Sequence, residues 1–171
     1  MGIFTSDIKT FDDLFVNVLQ QIYYAERQIA EQLQVMVGKA TNPDLRAGFE
    51  QHLRETEIQY KRLEEVFRMH GTEPKEATCP AIDGILKAGN SLAGEIDDKQ
   101  VLDAGLTHAA QMVEHYEIAQ YGTLIAWAKE MGRNDCATVL QQTLDEEKAT
   151  DAKLTQIAEA RVNRKAEMQS A

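Results

Sequence analysis

Four segments of this chain set apolar residues at steps of three and four over many consecutive turns, and that spacing admits little besides a bundle of long amphipathic helices. The first segment runs from about Thr10 to Val37, with Phe11, Leu14, Phe15, Val18, Leu19, Ile22, Ile29 and Leu33 on one side. Thr10 is a fitting N-cap, Asp12 and Asp13 suit the positive end of a helix dipole, and Gly38 is a fitting stop. The second follows Asn42-Pro43, a cap with proline at the first helical position, and ends at Gly71. The third runs from about Asp98 to Met131 and is closed by Gly132. The fourth starts after Arg133 and Asn134 and reaches about residue 163, leaving polar residues 164–171 expected to fray.

Short loops join the first segment to the second and the third to the fourth, which predicts two antiparallel hairpins, about 10–71 and about 98–163. The stretch between them, about 72–97, holds Pro74, Pro80, Gly84, Gly89 and Gly94. One short helix is expected in its middle, around Ala81, Ile82, Ile85, Leu86 and Leu92. Its length lets the chain return from one end of a bundle to the other. Hairpin, long crossover, hairpin is the connectivity of an all-α, ferritin-like four-helix bundle, expected here as a single domain over 1–171.

Composition narrows the function classes. A net charge of −10 over 171 residues repels phosphates, so nucleic acid is a poor partner. No apolar run approaches the roughly 18 residues of a membrane span, and no basic amphipathic helix suits a membrane surface. The N-terminus has no basic, apolar leader, so a cytoplasmic location is expected. Cys79 and Cys136 lack metal-type or redox-type spacing and read as structural thiols. No phosphate-cradling loop or nucleophile elbow occurs.

The informative residues are polar groups inside the apolar stripes. Glu26 lies four residues after Ile22 and three before Ile29, so it points inward. Glu114 and Glu117 fall among Ala110, Val113, Ile118 and Tyr121. Glu147 follows Leu144 by three residues, and Asp151 lies one turn further. On the second helix His52 and Glu55 share a face. Any one acid of this kind reads most simply as solvated surface. Four helices each turning acid inward at mid-length read otherwise, because a buried ionised carboxylate costs several kcal/mol unless paired or metal-bound. Too few lysines and arginines share these faces to neutralise them. Two cations would, and an oxygen-rich set with one imidazole suits iron, or failing that manganese, better than structural zinc. The six acids carry six negative charges if all ionise, which two ferric ions would balance. Tyr24, Tyr116 and Tyr121 lie near the acids in sequence; they read first as core or interface aromatics, and second as donors of hydrogen bonds or electrons to the acids.

The stretches TFDDLFVNVLQQIYYAERQI, HLRET, AAQMVEHYEIAQYGTL and LDEEKATDAKLT resemble the ferritin-like family of bacterial stress proteins typified by YciF. The resemblance covers nearly the whole chain. It implies a rubrerythrin-like bundle, often dimeric, with a stress role and no settled activity. The wider ferritin pattern carries over in part. Glu26 matches its first-helix glutamate, and Glu114 with Glu117 its third-helix pair. The Glu-x-x-His of the second helix stands reversed here as His52-x-x-Glu55, and the fourth reads Glu147-x-x-Thr150 with Asp151 beside it. The metal set to be tested is therefore Glu26, His52, Glu55, Glu114, Glu117, Glu147 and Asp151.

Two functions of different kinds follow. One is a stress protein with a dinuclear iron or manganese site, handling iron, oxygen or peroxide; lacking CxxC pairs, it would need an external electron donor. The other is a non-enzymatic structural dimer with a degenerate site, favoured by the missing fourth-helix histidine. A homodimer is expected in either case, chiefly from the resemblance and from Phe4, Phe15, Tyr23 and Val35, which set apolar groups on more than one side of the N-terminal region.

Overall fold

The computed structural model describes residues 8–170. Five principal helices carry the fold: α1 Phe11–Lys39, α2 Pro43–His70, α3 Pro80–Glu95, α4 Lys99–Glu130 and α5 Asn134–Ile157. There is no strand among the described residues.

Local chemistry sets the ends. Thr10 and Asp13 form a reciprocal capping box at α1. Asn42 accepts from the Asp44 and Leu45 amides ahead of α2, and Asp98 from Gln100 and Val101 ahead of α4. Gly71 and Gly132 stop α2 and α4 in the left-handed region, at φ 84° and 73°, where a Cβ would clash with the backbone. α1 continues one residue beyond the expected stop at Gly38.

Cross-helix contacts give the directions. Phe15 near the start of α1 meets His70 at the end of α2, and Phe11 packs edge-on against Trp127 near the end of α4. The loop after α1 is tied to Asp103 near the start of α4. α1 is thus antiparallel to both α2 and α4. Lys153 reaches Gln51, and Arg133 reaches Met69 and His70, so α5 is antiparallel to α2. α2 therefore finishes at one end of the bundle and α4 begins at the other.

The connection spans that length by running beside α1. The Ala77 amide donates to the Gln20 carbonyl, Tyr24 donates to Asp83, and Gln32 and Asn90 exchange amide hydrogen bonds. The helix in the crossover is longer than expected, sixteen residues despite its glycines. Gly89 lets it approach α4, since a Cβ there would stand 3.0 Å from the Ala109 methyl. The C-terminus also departs from expectation. The chain continues from α5 through a π-helical turn at Ala158–Val162 into α6, Asn163–Glu167, and a last 3₁₀ turn at Met168–Ser170. Ala158 and Val162 are buried in the π-helical turn, and residues 163–170 are helical where irregular chain was expected.

The core runs the length of the bundle and includes Phe15, Leu19, Ile22, Leu45, Phe49, Leu63, Phe67, Leu124 and Leu140. Phe15 and Tyr23 belong to it, which removes them from the expected dimer surface. Val35 is exposed, and Phe4 lies outside the described residues. Cys79 and Cys136 are both free and buried.

Candidate metal centre

The apolar core is interrupted at mid-length by a layer of acid. Glu26 of α1, Glu114 and Glu117 of α4, Glu147 of α5 and His52 of α2 are each at most 2% exposed. Their positions follow from the helix period: each falls three or four residues from neighbours that face the core, so burial of those neighbours carries it inward. Side-chain donor atoms of His52, Glu114, Glu117 and Glu147 all lie within 4.8 Å of one another. His52 Nε2 stands 3.1 Å from Glu114 Oε1 and 3.9 Å from Glu147 Oε2, without hydrogen-bond alignment to either. Glu26 adjoins this group closely enough that its carboxyl responds to the charges of Glu147, His52 and Glu114.

Two neutral groups orient the acids. The Tyr121 hydroxyl, one turn beyond Glu117, donates a short hydrogen bond to Glu26 Oε1. The Gln59 amide, two turns beyond His52, donates to Glu147 Oε1 and to Glu146 Oε2. Glu146 is held from outside by both Arg62 terminal nitrogens, at 2.5 and 2.8 Å. Each orienting bond occupies one carboxylate oxygen and leaves the other directed into the layer.

What remains is a shortage of partners. The buried side-chain nitrogen and oxygen atoms without a hydrogen bond among the described residues are Glu26 Oε2, both ring nitrogens of His52, Gln59 Oε1, Glu114 Oε2, both oxygens of Glu117 and Glu147 Oε2. All eight belong to this one layer. Burial, joined by repulsion from Glu147, pushes the Glu26 carboxyl up to about 8. Burial likewise raises Glu114 to about 8, and burial with the neighbouring carboxylates puts Glu117 well above the usual carboxylate range. Glu147 is raised by burial too, against the opposing pull of His52. The metal-free layer therefore keeps protons at neutral pH. Carboxylates with free lone pairs and one imidazole at this separation fit hard or borderline cations.

Residues 10–167 match the family described as Domain of unknown function (DUF892). The chain is 40% identical to Protein YciF of Escherichia coli over 162 residues, covering 94% of this chain and 98% of that one. The chain belongs to the YciF-like family. The crystal structure of the E. coli stress protein YciF superposes with a TM-score of 0.87 at 39% identity, over 91% of this chain and 99% of that one. YcfI of Rhodopseudomonas palustris, described as a candidate structural protein, gives the same TM-score at 51% identity over 90% and 98%. A Xanthomonas campestris protein, 20% identical with a TM-score of 0.73, shares the fold.

In this YciF-family chain the structure brings four of the seven residues singled out from the sequence within ligand distance of one another, His52, Glu114, Glu117 and Glu147, with Glu26 buried beside them. Glu55 and Asp151 stand apart from the five. Glu55 is half-buried and accepts from Gln51. Asp151 turns toward α4, where Gln111 donates to it and His115 lies 3.3 Å away. Both sit at the edge of their helix's inward face, where the neighbouring helix decides which way a side chain turns. The acid count at the layer falls from six to four, and four charges are balanced by two divalent ions without need of the ferric state. Tyr121 donates a hydrogen bond to an acid, the second of the two readings open to the tyrosines, and Gln59 joins the layer unannounced although it falls seven residues after His52, on the same helical face. Tyr116 and Tyr24 bond away from the layer, to Cys79 and Asp83.

Proposed function

We propose that Glu26, His52, Glu114, Glu117 and Glu147 hold a dinuclear metal centre, with iron as the first occupant and manganese as the second, in a protein of the stress-response type. The observation that carries this reading is the concentration of unpartnered buried polar atoms in a single layer. A fold that had no use for ligands there would gain by filling it with apolar side chains. When bound, such ions supply Lewis acidity and, for iron, a one-electron couple. The chain's own part is to hold the donors ready. Tyr121 fixes one oxygen of Glu26 and Gln59 one oxygen of Glu147. Protons on Glu117 and Glu147 leave as cations arrive.

The competing reading is a structural dimer with a vestigial site. It draws on the description of YcfI and on Thr150, which stands where a fourth-helix histidine would. Calorimetric titration of metal-free protein with manganese(II), and with iron(II) under anaerobic conditions, separates the two. Run in two buffers of different ionisation enthalpy, it should give about two ions per chain with net proton release. Absence of binding heat in both buffers would favour the structural reading.

A further inference from the structure

A cavity of about 150 Å³ opens between α2 and α5 and ends on the candidate centre. Its inner end is formed by His52 and Glu114, both buried and both with unpartnered atoms. Its outer lining includes half-buried Glu55 and Lys153 and exposed Gln51. These three cross the opening as a chain of hydrogen bonds. Lys153 Nζ donates to Gln51 Oε1 at 2.7 Å, and Gln51 Nε2 donates to Glu55 Oε1 at 2.8 Å. Lysine on α5 is thereby linked to carboxylate on α2 over the passage.

We propose that this cavity is the inlet through which a divalent cation reaches His52 and Glu114, with the Lys153–Gln51–Glu55 chain as its gate. The proposal rests on the dinuclear reading of the layer and adds to it a route and a distinct role for Glu55. The volume suits a cation with a few waters at about 30 Å³ each and is too small for an ordinary organic substrate, whose pockets run to roughly 300 Å³ or more. Glu146 also lines the cavity, but Arg62 holds it at 2.5 Å. Among the described residues Glu55 is tied to a neutral amide, that of Gln51, and its charge is felt at Glu114. It can receive a cation at the opening and release it inward. Lys153 presents a positive charge to the same path and opposes the arriving ion.

Uptake kinetics test this. Metal-free full-length protein is mixed with manganese(II) at low ionic strength, and loss of the free-ion paramagnetic resonance signal is followed in time. Glu55→Gln should load about tenfold more slowly and Lys153→Gln a few-fold faster, in line with the rate effects of charged clefts. Glu159→Gln, an exposed position away from the cavity lining, makes the same charge change and should load at the wild-type rate. All three should reach the wild-type metal content. Equal rates in wild type, Glu55→Gln and Lys153→Gln would put the route elsewhere and leave the centre standing. A lower final content in Glu55→Gln would make Glu55 a ligand and overturn the gate. A wild type that takes up no manganese(II) or iron(II) would remove the centre and the inlet together.

Discussion

Among the described residues acid is buried at two places in this bundle, and the two are built differently. At the end where α4 begins, Asp103 is 4% exposed and accepts three hydrogen bonds, from the Thr41 amide at 2.8 Å, the Thr41 hydroxyl at 2.6 Å and the Asn42 amide at 2.9 Å. It ties the α1–α2 loop to α4 and leaves no donor idle. At mid-length, Glu117 is as deeply buried and accepts none. A carboxylate kept for structure brings its donors with it. Glu117, beside three more glutamates and a histidine, has no hydrogen-bond partner of this kind, and the proposed metal centre draws on that contrast.

The largest expected difference between the two regions is in pH dependence. The ordinary glutamate value is 4.5, and Glu26 and Glu114 are raised to about 8 in the fold. Such a group binds its proton more readily folded than unfolded. Its contribution is complete below about 4.5 and is lost as pH rises through about 8. Metal-free protein should therefore lose several kcal/mol of stability across that window, on the order of one per unit of pKa shift. Metal-loaded protein should be much flatter. Denaturant melts of both forms at intervals of pH measure this, and parallel curves would mean that the acids are not clustered.

Next in size is Asp103→Ala. It strips partners from the Thr41 and Asn42 amides and should cost about 3 kcal/mol, with or without metal. Glu117→Met has the opposite sign. In metal-free protein it replaces a buried, unpartnered acid by an apolar group of similar size and should raise stability by about 1 kcal/mol. Equilibrium urea unfolding of the two variants side by side would break the comparison if both were destabilised alike. Glu159→Gln should stay within about 0.5 kcal/mol of wild type in either state.

Much of this was legible in the sequence, for a physical reason. In long helices each residue's bearing is fixed by its neighbours, so Glu26, Glu114, Glu117 and Glu147, set among core apolar residues, had little choice of direction. Proline, glycine and the capping residues placed both ends of α1, α2 and α4 and the start of α5 to within a residue or two. Glu55 and Asp151 were not legible, because residues at the edge of a stripe turn toward whichever neighbour offers a donor. For Glu55 that neighbour is Gln51 on its own helix, and for Asp151 it is Gln111 on α4. The length of α3 was hidden by its glycines, which disfavour helix in isolation, although one of them, Gly89, allows close packing against Ala109. The C-terminal helical extension depends on burial of Val162 within a polar sequence, a tertiary effect that outweighs local composition.

If the mid-bundle acids are there to hold metal, the metal retained per chain will show it. Wild type, Glu117→Gln and Glu159→Gln are loaded with iron(II) or manganese(II), desalted and analysed by elemental mass spectrometry, with far-ultraviolet circular dichroism confirming that each stays helical. About two ions per chain are expected in wild type and Glu159→Gln, and far fewer in Glu117→Gln. A wild type that retains no metal under any loading condition, or a Glu117→Gln variant that retains as much as wild type, would contradict this expectation.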